Sequence, residues 1–154
     1  MSKRSLAAGL AVAALALAGT ASADPGHAHH GHTIKLVEAH KELQPTFVDT
    51  GQPGPSVGDI VVARDDVLRP GGSAAGTFRQ VCTLVDLGSN PLTSTYECTG
   101  SIALKDGTIT MEGPFVPAAP ESAAAITGGT GAYKTARGEI VVRAEADELL
   151  VRLI

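Results

Sequence analysis

The chain is interrupted so often that no long element fits into it. From residue 33 onward, short runs of alternating apolar and polar residues, rich in Val, Ile and Thr, are cut by Gly, Pro, Asn or Asp. Eight such runs stand at about 33–40, 58–65, 74–85, 94–104, 108–115, 122–127, 137–145 and 148–154. No window sustains a helical period, apart from a single turn over 132–135. Eight short strands with regular turns predict an all-β domain, either a sandwich or a closed antiparallel barrel. Closure is favoured because the last run would otherwise be an unpaired, adhesive edge.

Ahead of these runs lies a segment of different character. Lys3 and Arg4 precede an apolar stretch over 6–18, and Ala21-Ser22-Ala23 reads as a small-x-small cleavage site. The stretch is short for a bilayer, so residues 1–23 are expected to be a cleaved secretory signal, with no membrane span afterwards and an extracellular destination. Residues 24–32 are polar and expected to be disordered, and the domain proper is 33–154. The net charge of −4 becomes more negative once Lys3 and Arg4 are removed. That argues against nucleic acid and anionic membranes as partners. Aromatic residues make up 3% and Trp is absent, so platforms for stacking bases or sugars are scarce.

Two hairpins can be registered from sequence. Asp106-Gly107 is a strong two-residue turn, which predicts pairing of Leu104 with Ile109, Ile102 with Met111, Gly100 with Gly113 and Cys98 with Phe115. Asn90 lies midway between Cys82 and Cys98, so a symmetric hairpin puts the two cysteines opposite each other on one face. That face also collects Phe78, Leu84, Ile102, Leu104, Ile109, Met111 and Phe115, and is assigned to the interior. Thr77, Arg79, Thr83, Glu97, Thr99, Thr108, Thr110 and Glu112 fall on the opposite face. A Cys82–Cys98 disulfide is the expected state of two cysteines in a secreted chain; a free Cys82 thiol in a cavity is the alternative.

The alternation of the first run puts Ile34, Leu36, Glu38 and His40 on one face. If the two aliphatic residues face the core, Glu38 faces it too, and a buried carboxylate must be paired, protonated or put to use. The other reading leaves Glu38 solvated at the rim. Asp65 and Asp66 are expected near the end of the second run as solvated turn residues. His27, His29, His30 and His32 are weak candidate metal ligands, with no carboxylate or cysteine to complete a site. No cofactor is implied. No nucleophile elbow, His-Glu-x-x-His helix or zinc-spaced cysteine set is present.

The segment 125–138, Ala-Ile-Thr-Gly-Gly-Thr-Gly-Ala-Tyr-Lys-Thr-Ala-Arg-Gly, is a glycine-rich strand exit anchored by Tyr133. It lacks the Gly-Lys-Ser/Thr ending and following helix of a phosphate loop. The segment resembles the signature of the allene oxide cyclase and dirigent families. Leu36-Val37-Glu38-Ala39-His40, Gly58-Asp59-Ile60-Val61, the stretch through Cys82, and the unit running from Gly107 to Gly113-Pro114-Phe115 resemble further pieces of the same pattern, in family order. The resemblance implies an eight-stranded antiparallel barrel and a homotrimer. It implies a catalytic carboxylate at Glu38, and Asp65 where the cyclases have an asparagine that helps hold a water. It also implies a ligand-contacting set of His40, Phe78, Cys82 and Phe115. His40 falls at another asparagine, Cys82 at a cavity cysteine and Phe115 at a cavity tyrosine. Pro45 corresponds to a proline near the water. Three functions follow as expectations. The first is an isomerase or cyclase that steers a hydrophobic, reactive small molecule. The second is a dirigent-like guide without chemistry of its own, for which Asp65 and Asp66 become the important groups. The third is a secreted carrier or structural barrel with a filled core.

Overall fold

A computed structural model describes residues 31–39 and 45–154. Among the described residues nine strands are present: β1 (His32–Glu38), β2 (Thr46–Val48), β3 (Ile60–Leu68), β4 (Ala74–Asp86), β5 (Thr95–Leu104), β6 (Gly107–Phe115), β7 (Ser122–Gly129), β8 (Gly138–Arg143) and β9 (Glu148–Leu153). Short 3-10 turns occur at Pro91–Thr93, Gly131–Tyr133 and Ala144–Ala146. Among the described residues no helix is long and apolar enough to cross a membrane.

Each of β3 to β9 pairs antiparallel with the next, β9 pairs with β1, and β1 returns to β3 through Val37↔Leu68 and Glu38↔Val67. The result is the expected closed eight-stranded antiparallel barrel. The ninth strand, β2, was not expected. It extends the seam by pairing Thr46, Phe47 and Val48 with Val62, Val61 and Ile60. The edge of β3 is thus shared, one end covered by β1 and the other by β2, and ladder groups that would invite another chain are paired internally.

The interior follows the period-two alternation. One cluster of Ile34, Leu36, Val67, Phe78, Ile102, Ile109, Met111, Ala124, Ile126, Ile140, Leu149 and Val151 fills most of the barrel. A smaller one, Cys82, Leu84, Tyr96 and Cys98, lies toward one end. As expected, Tyr133 packs the glycine-rich turn against the main cluster.

Cys82 and Cys98 are register partners and are joined by a disulfide, so the free-thiol alternative falls away. The β5–β6 hairpin keeps a two-residue turn, but the turn sits one residue earlier and every pairing partner two residues earlier than expected. Leu104 pairs with Gly107, Ile102 with Ile109, Gly100 with Met111 and Cys98 with Gly113, leaving Lys105-Asp106 as the turn. The cause is long-range. The glycine-rich loop lies directly on this hairpin, with Ala132 N–H donating to the Asp106 carbonyl at 2.9 Å. A Cβ on Gly107 would come within 2.1 Å of the Thr130 carbonyl oxygen. Because the shift is by two, every side chain keeps its face.

Strand β3 also runs further than expected. The turn is made by Arg69-Pro70-Gly71-Gly72, so Asp65 and Asp66 are mid-strand residues and not turn residues. Asp65 belongs to the inward face with Val61, Ala63 and Val67. Asp66 is exposed and lies 3.5 Å from Arg64. On the outer wall, Glu148 at the start of β9 is bonded to Lys35 of β1 and, at 3.1 Å, to Arg143 of β8. Arg143 in turn holds Glu121 at 2.7 Å.

Candidate ligand pocket at the barrel mouth

Three interior tiers can be read straight across β3–β4–β5–β6. They are Val61–Cys82–Cys98–Gly113, Ala63–Gln80–Gly100–Met111 and Asp65–Phe78–Ile102–Ile109. The third tier merges into the filled core. The second has little side-chain bulk at Ala63 and none at Gly100. A Cβ on Gly100 would approach Gln80 Cβ and Met111 Cε to 3.4 Å each, and the Arg79 carbonyl oxygen to 2.9 Å. Gly100 thus lets Gln80 and Met111 pack closely, while the small Ala63 leaves space above the core, which continues upward past the disulfide tier and opens at the mouth.

The space is a pocket of about 330 Å³. Its walls are Val61 and Ala63 of β3, Gln80 and Cys82 of β4, Tyr96 of β5 and Phe115 of β6, while Phe47 of β2 and the residues Pro45, Pro91, Leu92 and Pro117 form the rim. Three of the chain's five aromatic side chains therefore line one cavity. No lining residue carries a charge, and prolines fix the rim with little conformational freedom left to lose on binding.

Two devices hold the rim. In the first, Asn90 caps the Pro91–Thr93 turn: its Oδ1 accepts from Leu92 N–H at 2.9 Å and Thr93 N–H at 3.2 Å. The Tyr96 phenol donates to the Pro91 carbonyl at 3.2 Å, and Ala118 N–H donates to the Leu92 carbonyl at 2.8 Å. In the second, the fully buried Asp59 fastens the loop behind β2. Its carboxylate accepts from Ser56 N–H at 2.7 Å and Thr50 N–H at 2.9 Å, and from the hydroxyls of Ser56 at 3.3 Å and Thr50 at 3.4 Å. The backbone bonds from Thr50 and Ser56 lower its pKa from the ordinary carboxylate value, outweighing burial. Burial first, and the Asp59 carboxylate second, raise the Tyr96 phenol above its usual value. The phenol therefore stays a donor.

Of the expected ligand-contacting residues, Cys82 and Phe115 line this pocket, Cys82 as half of the disulfide. Phe78 is one tier lower, 2% exposed, in the filled core. His40 lies outside the described residues, as do the signal segment and His27, His29 and His30. His32 is exposed at the start of β1, and among the described residues no group of three or more His, Cys, Asp or Glu is arranged to hold a metal ion.

Glu38 and Asp65 are brought together by the closure of the barrel. Glu38 pairs with Val67, and Asp65 is the next inward residue along β3, so the two are diagonal neighbours on the inner wall, both half-buried. Asp65 is about 7 Å along the strand from Ala63 at the pocket floor. Phe47, Gln80, Leu92, Tyr96 and Pro117 went unnoticed in the sequence. Gln80 and Tyr96 could have been found, since they share parity with Cys82 and Cys98.

A closed antiparallel barrel, filled below and open at one mouth into an apolar pocket, defines the class of protein. The model of the allene oxide cyclase barrel-like domain matches residues 37–153. The chain belongs to that family. Among solved structures, a pyocyanin demethylase is similar with 28% identity and a TM-score of 0.62, over 80% of this chain and 98% of the other. An exo-specific intermolecular Diels–Alderase is similar with 16% identity and a TM-score of 0.57, over 80% and 96%. A pterocarpan synthase dirigent protein gives 17% identity and a TM-score of 0.53, over 80% and 83%. The last two likenesses show a shared fold. No match was found among curated proteins.

Proposed function

We propose that this chain takes a hydrophobic, reactive small molecule into the mouth of its barrel and acts on it as an isomerase or cyclase. One observation carries this reading: a pocket of about 330 Å³, walled by Phe47, Tyr96 and Phe115 and free of charged lining residues. Such a cavity excludes water and limits the conformations of a flexible molecule, the main services a cyclisation needs. In this proposal the pocket acts by confining its guest, and Glu38 and Asp65 stand on the inner wall below its floor, outside the lining. Of the neighbours' names, only the Diels–Alderase's supports a cyclisation, and the others' support a small-molecule guest. One acts on pyocyanin, one is a Diels–Alderase, and one is a dirigent protein.

The dirigent-like reading uses the same pocket without chemistry by the protein, and the carrier reading uses it only for storage. Mass spectrometry of solvent extracts from the purified protein should reveal a co-purified apolar molecule. Turnover of that molecule or its precursor by the protein alone, lost when Ala63→Phe fills the pocket floor, is the expected result. Conversion only beside a separate oxidant, with an altered stereochemical ratio, would favour the guide. Binding without conversion would favour the carrier.

Secretion after cleavage behind Ala23 is part of the proposal, and the Cys82–Cys98 disulfide supports it. The mass of the mature chain recovered from outside the cell tests it. The homotrimer is likewise proposed. Val62 and Val81, exposed on adjacent outer strands, are apolar surface that assembly would cover. Sedimentation of the purified protein tests that step.

A further inference from the structure

The pocket offers a ligand almost nothing polar. The Tyr96 phenol is 5% exposed as a residue and already donates to Pro91, and Cys82 is oxidised. The remaining polar side chain in the lining is Gln80. It projects inward from the middle of β4, between Ala63 and Gly100, at the boundary where the open space meets the filled core. Its carboxamide has no hydrogen-bond partner among the described residues, and no side-chain nitrogen or oxygen there is both sealed and unsatisfied. An amide at the floor of an apolar pocket, unpaired within the described chain but not sealed, is free to bond whatever enters.

We propose that the Gln80 carboxamide is the polar anchor that orients the occupant of this pocket. The occupant is then an uncharged, flat, mainly apolar molecule with a hydrogen-bonding heteroatom, such as a carbonyl oxygen or a ring nitrogen, at the end that enters first. The lack of charged lining residues selects against ions, whose burial without a partner is costly. The three rings and the volume suit two or three fused rings. A carboxamide donates and accepts at all ordinary pH values, so recognition of the heteroatom is independent of pH between about 5 and 9. The inference deepens the proposed function and rests on the pocket being a binding site.

Fluorenone and fluorene are probes of nearly the same shape that differ in one carbonyl. Equilibrium dialysis of both against the oxidised protein, and against Gln80→Met, separates the two levels of the claim. Wild type should hold fluorenone more tightly than fluorene, and the substitution should weaken fluorenone roughly 3- to 10-fold while leaving fluorene unchanged or tighter. Retained fluorene binding also shows that the variant is folded; Gln80→Leu replaces it if Gln80→Met does not accumulate. An unchanged fluorenone-to-fluorene ratio, with both probes bound, overturns the anchor and leaves the pocket standing. Failure of both probes to bind wild type overturns the pocket reading and the anchor with it.

Discussion

Asp59 has no contact with the pocket interior, yet much of the rim depends on it. Its two carboxylate oxygens gather four donors from Thr50 and Ser56, and its backbone carbonyl accepts from Leu84 N–H at 2.8 Å. One residue therefore ties the loop behind β2 to the end of β4. In Asp59→Asn an amide nitrogen replaces one acceptor, so the variant should melt several degrees lower at neutral pH. A carboxyl whose folded pKa lies below its ordinary value of 3.8 stabilises the fold above that value. That contribution fades as pH falls through the folded value. Between about pH 5 and pH 3, wild type should thus lose melting temperature faster than Asp59→Asn. Parallel slopes in differential scanning calorimetry would count against the clamp. Gly58-Asp59 was noticed in the sequence as a family signature; the load it carries was not, because its donors come from a loop with no periodic pattern.

Among the elements, the β4–β5 hairpin is the best defined by sequence and the most firmly closed. Its cysteines, 16 residues apart, close a loop that in the chain-entropy model is worth about 3 kcal/mol. The paired substitution Cys82→Ala with Cys98→Ala should lower the urea midpoint by roughly 1–3 M. It should also loosen the pocket wall. Strand existence and facing were legible because alternation and turn residues are local signals. Registers were legible only where local chemistry decides them. Asn90 does so for β4 and β5. The β5–β6 turn is decided by the loop at 130–132 that lands on it, so Asp106-Gly107 misled by two residues. Strand β2 escaped because three residues after a proline carry too little periodicity to stand out.

At the scale of the whole molecule, closure was expected from the eight short strands, but not the seam that makes it, β1 against the far end of β3. The β1–β3 seam makes Glu38 and Asp65 neighbours, while β2 to β6 and three connecting segments together line the pocket. No single hairpin contains either arrangement. Outside the seam, Glu148 clasps β1 and β8 to β9. The hydrogen bond from Lys35, aided by the Arg143 contacts and opposed by burial, lowers its pKa from the usual 4.5. Its contribution is therefore present above that pH and lost on acidification. Glu148→Lys, which sets a third cation beside Lys35 and Arg143, should lower the melting temperature more than Glu148→Gln. The gap between the two variants should narrow in high salt, where exposed charges are screened. A gap independent of salt would assign the loss to packing.

The core that fills the lower barrel has one more effect. It turns the space above into a cul-de-sac. Whatever goes in must back out through the same opening, and the end that leads on arrival trails on departure. A molecule longer than the pocket is wide has no room to turn round, so the end that enters first is the end that reaches Gln80. A second molecule waits outside until the first has gone. In the proposed function, that makes departure the natural brake on the cycle.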